Sequence, residues 1–297
     1  MSGIWPECPR SAGTVNVEDE PTGLVRVGAG SFATVCAHRG GPLVFKIVHF
    51  EEQAQELKAE YTAHNALFTS YPQKFTFAVP RPLGFYGITN QDYLELSTNI
   101  HFHLSGQYFE SVGVPRSAYA MDRVHTLPAD IGNVIRVQFY SRITEARSAP
   151  YSSLCRLYLS KVLKPSMFLR FESRLMPLND VARGMGEVLG HIHWRLGYDA
   201  RDIEFVMGGD GYHGVTFQVI DFNQMRRLEG TGVEVVEMLV SSFFANDPYY
   251  PRPRPSDTLY QAFRTGYIAQ CALGQTSVPK EFLEAIEVEQ AKRDARE

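Results

Sequence analysis

Three acidic residues in the second half of the chain limit most strongly what this sequence can fold into. Asp199 and Glu204 stand five residues apart in the run Gly-Tyr-Asp-Ala-Arg-Asp-Ile-Glu, and Asp221 ends a later run of β-type sequence. Asp202 lies between the first two and adds a fourth carboxylate. Two acids on a short loop, facing a third at the end of a strand, suit a magnesium–phosphate site. We therefore expect catalytic residues among Asp199, Asp202, Glu204 and Asp221.

Two segments of the sequence have the apolar spacing of helices. Residues 51–69 place Leu57, Tyr61 and His64 on one face, and residues 178–194 form the clearest helical pattern in the chain. The second helix leads directly into the acidic loop. The sequence thus predicts a helix that positions the Asp199 loop.

Near the N-terminus, two β-type runs surround a glycine turn that contains Gly28, Gly30 and Ser31. A further strand carries Lys46, and Glu60 lies beside the apolar stripe of the first predicted helix. Glycines let backbone N–H groups approach phosphates, and a strand lysine can hold them. Glu60 is placed to pair with Lys46, although a surface glutamate would fit the same pattern.

In this order the residues resemble the protein-kinase signature of glycine-rich loop, strand lysine, helix glutamate, catalytic-loop aspartate and strand-end aspartate. Three departures stand out: Ala33 replaces the third glycine, Gly-Tyr precedes Asp199 in place of His-Arg, and Glu204 replaces the second metal-binding asparagine. The resemblance implies an α+β chain with a two-lobed, kinase-like fold. It implies a flexible tail at 1–22, a β-rich N-lobe at 23–124 and a mainly helical C-lobe at 125–297.

The charge is unevenly distributed although its net value is only −4. Residues 131–174 carry eight basic residues against two acids, with aromatic residues between the cations. Such a segment suits a phosphate backbone and stacked bases, whereas a solvated helical face would have a similar composition. The candidate nucleic-acid-binding residues are Arg136, Arg142, Arg147, Arg156, Lys161 and Lys164.

Composition excludes several other classes of protein. No run of about 18 apolar residues predicts a membrane span, and the N-terminal segment lacks the apolar stretch of a secretory signal. The four cysteines, Cys8, Cys36, Cys155 and Cys271, have no paired metal spacing. We expect a cytoplasmic protein with free thiols, no membrane partner and no zinc site.

Three functions fit the kinase resemblance. In a small-molecule phosphotransferase related to aminoglycoside or choline kinases, Asp199 would orient the acceptor hydroxyl, and Asp221 and Glu204 would hold magnesium. ATP would bind through Gly28, Gly30, Ser31, Lys46 and Glu60. A kinase-like binding module without chemistry is a further alternative.

The run Asp-Ile-Glu-Phe-Val-Met-Gly at 202–208 favours another function. It is similar to a run in a fungal kinase-like family that includes arginine-containing cyclodipeptide synthases. That resemblance implies that aminoacyl groups from aminoacyl-tRNA, arginyl-tRNA among them, are condensed into a diketopiperazine without a cofactor. The acids near Glu204 suit a guanidinium, and the basic segment suits a tRNA backbone. We therefore expect a synthase ahead of a phosphotransferase.

Overall fold

The computed structural model of this chain describes residues 24–72, 75–87, 106–132, 154–160, 169–171, 174–176, 178–230, 232–271 and 277–296. The strands are β1 (Leu24–Ala29), β2 (Ala33–His38), β3 (Leu43–Val48), β4 (Pro82–Tyr86), β5 (Ala118–Asp122), β6 (Cys155–Arg156), β7 (Leu169–Phe171), β8 (Arg174–Met176), β9 (Glu204–Gly209) and β10 (Val215–Ile220). The helices are α1 (Ala54–Ser70), α2 (Gly106–Ser111), α3 (Leu178–His191), α4 (Val233–Ala245), α5 (Thr258–Ile268) and α6 (Ser277–Asp294). The predicted α+β class is confirmed.

The first sheet is antiparallel, with the strand order β1-β2-β3-β5-β4. Its central strand β3 has the sequence Leu-Val-Phe-Lys-Ile-Val and is buried from Val44 onward, which suits a strand covered on both faces. Helix α1 follows a 3-10 turn at Glu51–Gln53 and buries Leu57 and Tyr61 against this sheet. Lys46 is thus a charged residue on a buried central strand of the sheet.

The second sheet has the order β10-β9-β6 and packs with α3, α4, α5 and α6 around the larger core. Its register pairs Ile220 with Glu204, so the residues after β10 and before β9 meet at one end of the sheet. The long helix predicted at 178–194 is α-helical to His191 and continues as a π-helical turn at Ile192–Leu196. Gly197, with φ of 71°, ends that turn and starts the acidic loop.

Helices α3 and α5 touch backbone to backbone. A Cβ atom on Gly186 would overlap the carbonyl of Phe263, and one on Gly266 would overlap the carbonyl of Arg183. Only glycine permits this approach, because any side chain would force the helices apart. The contact fixes α3 and therefore the start of the acidic loop.

Two backbone contacts join the first sheet's flanking segments to the second sheet. Ala78, which lies before β4, donates to Phe217 at 2.8 Å and accepts from Val219 at 3.0 Å. His125, which follows β5, accepts from Gly209 at 2.8 Å. The two sheets are thus connected at two separate points, both of which follow Lys46 in sequence. In the part of the chain that the structure describes, no helix is long and apolar enough to cross a membrane.

Candidate active site

A lysine and two carboxylates from three different elements meet between the two sheets. The Lys46 Nζ on β3 donates to Glu60 Oε1 on α1 at 2.6 Å and to Asp221 Oδ1, just after β10, at 3.0 Å. Burial opposes the charge on Lys46, but the carboxylates of Glu60 and Asp221 outweigh it and raise the pKa of Lys46. The ammonium therefore stays protonated at the centre of this ion triad, whereas burial raises the pKa of Glu60.

The glycine turn closes over the ion triad through an aromatic side chain. Phe32 is buried, and its ring centre lies 5.2 Å from Lys46 Nζ. A Cβ on Gly28 would meet only Val35, at the ordinary distance of 3.6 Å, and one on Gly30 would meet only the Ala33 carbonyl, at 3.7 Å. The turn itself thus does not require either glycine. Ser31, at its tip, is exposed.

Asp199 is the most completely bonded acid of the candidate set. Its Oδ1 accepts the backbone N–H groups of Arg201 at 3.1 Å and Arg226 at 2.9 Å. Its Oδ2 accepts Arg226 Nε at 2.7 Å and Ser242 Oγ at 2.9 Å. A carboxylate offers about four lone-pair positions, so internal donors use all of them. The side chain is 0% exposed. This geometry leaves Asp199 no acceptor position for a substrate hydroxyl.

The loop from Asp199 to Ile203 has an unusual backbone. Ala200 and Asp202 have φ values of 54° and 63°, and Asp221 opposite them has 64°. The left-handed region is unfavourable for residues with a Cβ atom, and such conformations concentrate at functional sites. Three of them in one small region mark this loop and strand end as the specialised part of the fold.

Asp202 is the acid of the loop that faces Asp221. Burial, followed by the charges of Asp221 and Glu204, raises the pKa of Asp202. The described residues place one side-chain donor on it, the Gln224 Nε2 at 2.5 Å from Oδ2. Asp202 therefore has free acceptor capacity, in contrast to Asp199.

Glu204, at the start of β9, is already bound to a guanidinium of the same chain. Arg156 Nε lies 3.0 Å from each carboxylate oxygen of Glu204, and Arg156 Nη2 lies 2.9 Å from Oε1. The pair is accessible, since the side chains are 51% and 21% exposed. Arg156, expected on a nucleic-acid surface, thus neutralises Glu204 beside the acidic loop.

The other expected nucleic-acid contacts lie outside the described residues: Arg136, Arg142, Arg147, Lys161 and Lys164. The same holds for the tail expected at 1–22. The end of strand β5 and the residue after it use two backbone N–H donors within the chain. Asp122 donates to Arg81 and Arg123 donates to Pro42, at 2.9 and 2.8 Å.

Sequence reasoning missed Arg226, Ser242 and Asn246, which hold the acidic loop from behind. Asn246 Oδ1 accepts the Asp202 N–H at 2.6 Å, and Asn246 Nδ2 donates to the Ala200 carbonyl at 2.8 Å. Ser242 and Asn246 follow the buried Leu239 at helical spacing. Two polar residues on the core face of an apolar helix were the available signal.

Comparison with known proteins yields one partial match. A family described as "Zinc finger protein" matches residues 218–273, and none of the curated proteins matches the chain. The matched segment contains Asp221, Arg226, Ser242 and Asn246, so it overlaps the candidate site.

The zinc description of that family does not fit the matched residues. They include one cysteine, Cys271, and no histidine, whereas structural zinc takes four ligands drawn mainly from cysteine and histidine. Among the residues that the structure describes, no group of three histidine, cysteine or acidic side chains could hold a metal ion. The described cysteines, Cys36, Cys155 and Cys271, form no disulfide bond with one another.

Proposed function

We propose that the first sheet with α1 and the second sheet with its helices are the two lobes of a kinase-like fold. The ion triad supports this, because Lys46, Glu60 and Asp221 come from a central strand, a helix and a strand end in the order typical of kinases. The helix that leads into an acidic loop before β9 supports it as well.

We propose further that the chain is an enzyme that joins aminoacyl groups carried by tRNA into an arginine-containing cyclic dipeptide. The observation that carries this proposal is the charge around Asp202. Burial, followed by the carboxylates of Asp221 and Glu204, raises its pKa, and the Lys46 ammonium is already shared by Glu60 and Asp221. Such a site favours a cationic group. An ammonium or a guanidinium meets that requirement through charge-assisted hydrogen bonds.

The bonding of Asp199 supports aminoacyl transfer over phosphate transfer. A phosphotransferase of the kinase type needs a catalytic-loop aspartate that accepts the substrate hydroxyl. Asp199 stands at the expected position, but its lone pairs are occupied by Arg201, Arg226 and Ser242. Asp202, with its raised pKa and free acceptor capacity, is the better proton carrier.

The proposed reaction consists of two aminoacyl transfers. The α-amine of one aminoacyl ester attacks the ester carbonyl of the other, a C–N bond forms, and the C–O bond to the tRNA 3′-terminal ribose breaks. The amine proton passes through Asp202 to the leaving oxygen. The free amine of the dipeptide then attacks the remaining ester, which closes the ring and releases the second tRNA. Neither step consumes ATP or changes an oxidation state.

The test is a product assay with the purified full-length chain, arginyl-tRNA and a mixture of other aminoacyl-tRNAs. Mass spectrometry should detect cyclic dipeptides that contain arginine, with or without ATP. Asp202→Asn should lower the yield at least 100-fold. Asp210→Asn, an exposed acid in the β9–β10 turn, should leave the yield within twofold. A wild-type chain that forms no such product from charged tRNA would refute the proposal.

A magnesium- and ATP-dependent phosphotransferase is the second candidate, and the Lys46–Glu60 pair at 2.6 Å favours it. Magnesium commonly binds through one or two carboxylates plus phosphate oxygens. Asp221 and Asp202 fit that role better than Glu204, which Arg156 neutralises. The Lys46 ammonium would hold the phosphates. ATP-dependent phosphorylation of a small molecule, lost in Asp202→Asn, would favour this candidate.

A further inference from the structure

We propose that Asn246 is a positioning residue that holds the acidic loop in the conformation that turns Asp202 toward Asp221. The inference rests on the proposed function of Asp202, but its physical content is a statement about the loop. The side chain of Asn246 bonds to the backbone of the loop and not to the Asp202 carboxylate.

The side chain of Asn246 satisfies two backbone groups that bracket the turn. Its Oδ1 accepts the N–H of Asp202 at 2.6 Å, and its Nδ2 donates to the carbonyl of Ala200 at 2.8 Å. A third contact, from Nδ2 to Tyr250 Oη at 3.2 Å, fixes the amide orientation. Asn246 is only 3% exposed, so water does not compete for these groups.

The two residues that bracket the turn are those with left-handed backbones. Ala200 has φ of 54° and Asp202 has φ of 63°. A residue with a Cβ atom leaves this region unless surrounding contacts hold it there. Aspartate tolerates the region better than alanine does. Ala200 is therefore the residue whose conformation depends most on the hydrogen bond from Asn246.

Asn246 is also well anchored. It is the residue that ends α4, where its N–H donates to carbonyls of the last turn, including those of Ser242 and Phe243. Ser242 in that same turn donates to Asp199 at 2.9 Å. The end of α4 is therefore hydrogen-bonded to the loop at both Asp199 and Asp202. A shift of the helix end would move the loop as a unit.

The experiment compares Asn246→Ala with a control on the same helix, Ser241→Ala, whose side chain is exposed. In the cyclic dipeptide assay, Asn246→Ala should lower kcat at least 30-fold and change KM for arginyl-tRNA less than threefold. The reason is that the acid is displaced while the tRNA-contacting surface is not. Ser241→Ala should keep both constants within twofold. A kcat for Asn246→Ala within threefold of wild type would overturn the inference.

A rescue variant separates positioning from general stability. Glycine adopts the left-handed region without a Cβ penalty, so Ala200→Gly should keep the turn without the hydrogen bond. Adding Ala200→Gly to Asn246→Ala should restore kcat at least fivefold. A double variant no faster than Asn246→Ala alone would show that Asn246 acts through the fold and not through this turn.

A readout independent of activity keeps the inference testable if the proposed function fails. The Asp202 N–H should exchange with deuterium at least tenfold faster in Asn246→Ala, whereas amides within α4 should keep their wild-type rates. Unchanged exchange at Asp202 would overturn the inference whatever the enzyme makes. Absence of the cyclic dipeptide from the wild-type reaction would instead overturn only the proposed function.

Discussion

Replacing Asp199 by asparagine should cost stability, whereas replacing Asp202 should cost activity. Asp199 has a side chain that is 0% exposed and bonds with Arg226. An asparagine keeps one acceptor oxygen but puts an NH₂ group against donors such as Arg226 Nε and the Ser242 hydroxyl. A hydrogen bond to a charged group contributes about 1.5–3 kcal/mol, and breaking a buried ion pair costs about 3–5 kcal/mol.

The exposure of Arg226 indicates where the cost of breaking the Asp199–Arg226 ion pair lies within its range. Arg226 is 50% exposed, so water can solvate its guanidinium once the carboxylate is gone. We therefore expect Asp199→Asn to lower the free energy of unfolding by about 3 kcal/mol, near the lower limit for a buried pair. The raised pKa of Asp202 means that the fold disfavours its charge. Asp202→Asn should thus change the free energy of unfolding by less than about 0.5 kcal/mol.

Urea unfolding followed by circular dichroism at pH 7 measures both values. The cyclic dipeptide assay measures activity per folded molecule when it is run at a temperature 20 °C lower than the thermal unfolding midpoint of each variant. Asp199→Asn should retain at least a tenth of the wild-type rate, and Asp202→Asn should retain less than a hundredth. A stable but inactive Asp199→Asn would refute the reasoning, because it would make Asp199 a catalytic acceptor.

Three other perturbations test the fold around the site. Lys46→Met leaves Glu60 buried without its ammonium and should destabilise the chain by about 3 kcal/mol in urea unfolding; a loss under 1 kcal/mol would contradict the buried pair. Burial lowers the pKa of His64 and His193 to about 3. Only the unfolded state takes up these protons between about pH 6.5 and 3, so stability present above pH 6.5 should fall on acidification by about 1.4 kcal/mol per pH unit for each histidine. His193→Gln should therefore flatten the pH dependence of urea unfolding, and an unchanged slope would show that His193 is not held neutral. Gly186→Ala should destabilise the chain by about 2 kcal/mol or more because its methyl group overlaps α5; an unchanged thermal midpoint would contradict the backbone contact.

Sequence order predicted much of the site because each element carries its own local signal. The strand around Lys46 and the helix before the acidic loop were identifiable from apolar spacing alone. The different bonding of the two loop acids was not identifiable in this way: Asp199 is fully hydrogen-bonded, whereas Asp202 keeps free acceptor capacity. This difference depends on left-handed backbone conformations at Ala200 and Asp202, and the sequence has no glycine at these positions to indicate them. Linear spacing alone favours Asp199 as the acceptor.

Pairings across long stretches of sequence escaped prediction for a different reason. Glu204 binds Arg156, which lies 48 residues earlier, and Asp199 binds Ser242, 43 residues later. Both partners are common residue types on the surface or in helices. Neither alters the local pattern of its own segment. Which cation or hydroxyl meets which acid is decided by tertiary packing, after the elements have formed.

The two backbone contacts at Ala78 and His125 have a mechanical consequence. They add to the Lys46–Asp221 ion pair and to α1, which packs into the larger core through Leu67. Contacts at this many places oppose both sliding and free rotation of the two sheets against each other. Widening the gap at Lys46 and Asp221 therefore requires hydrogen bonds or packed side chains to separate, so each opening has a cost in free energy.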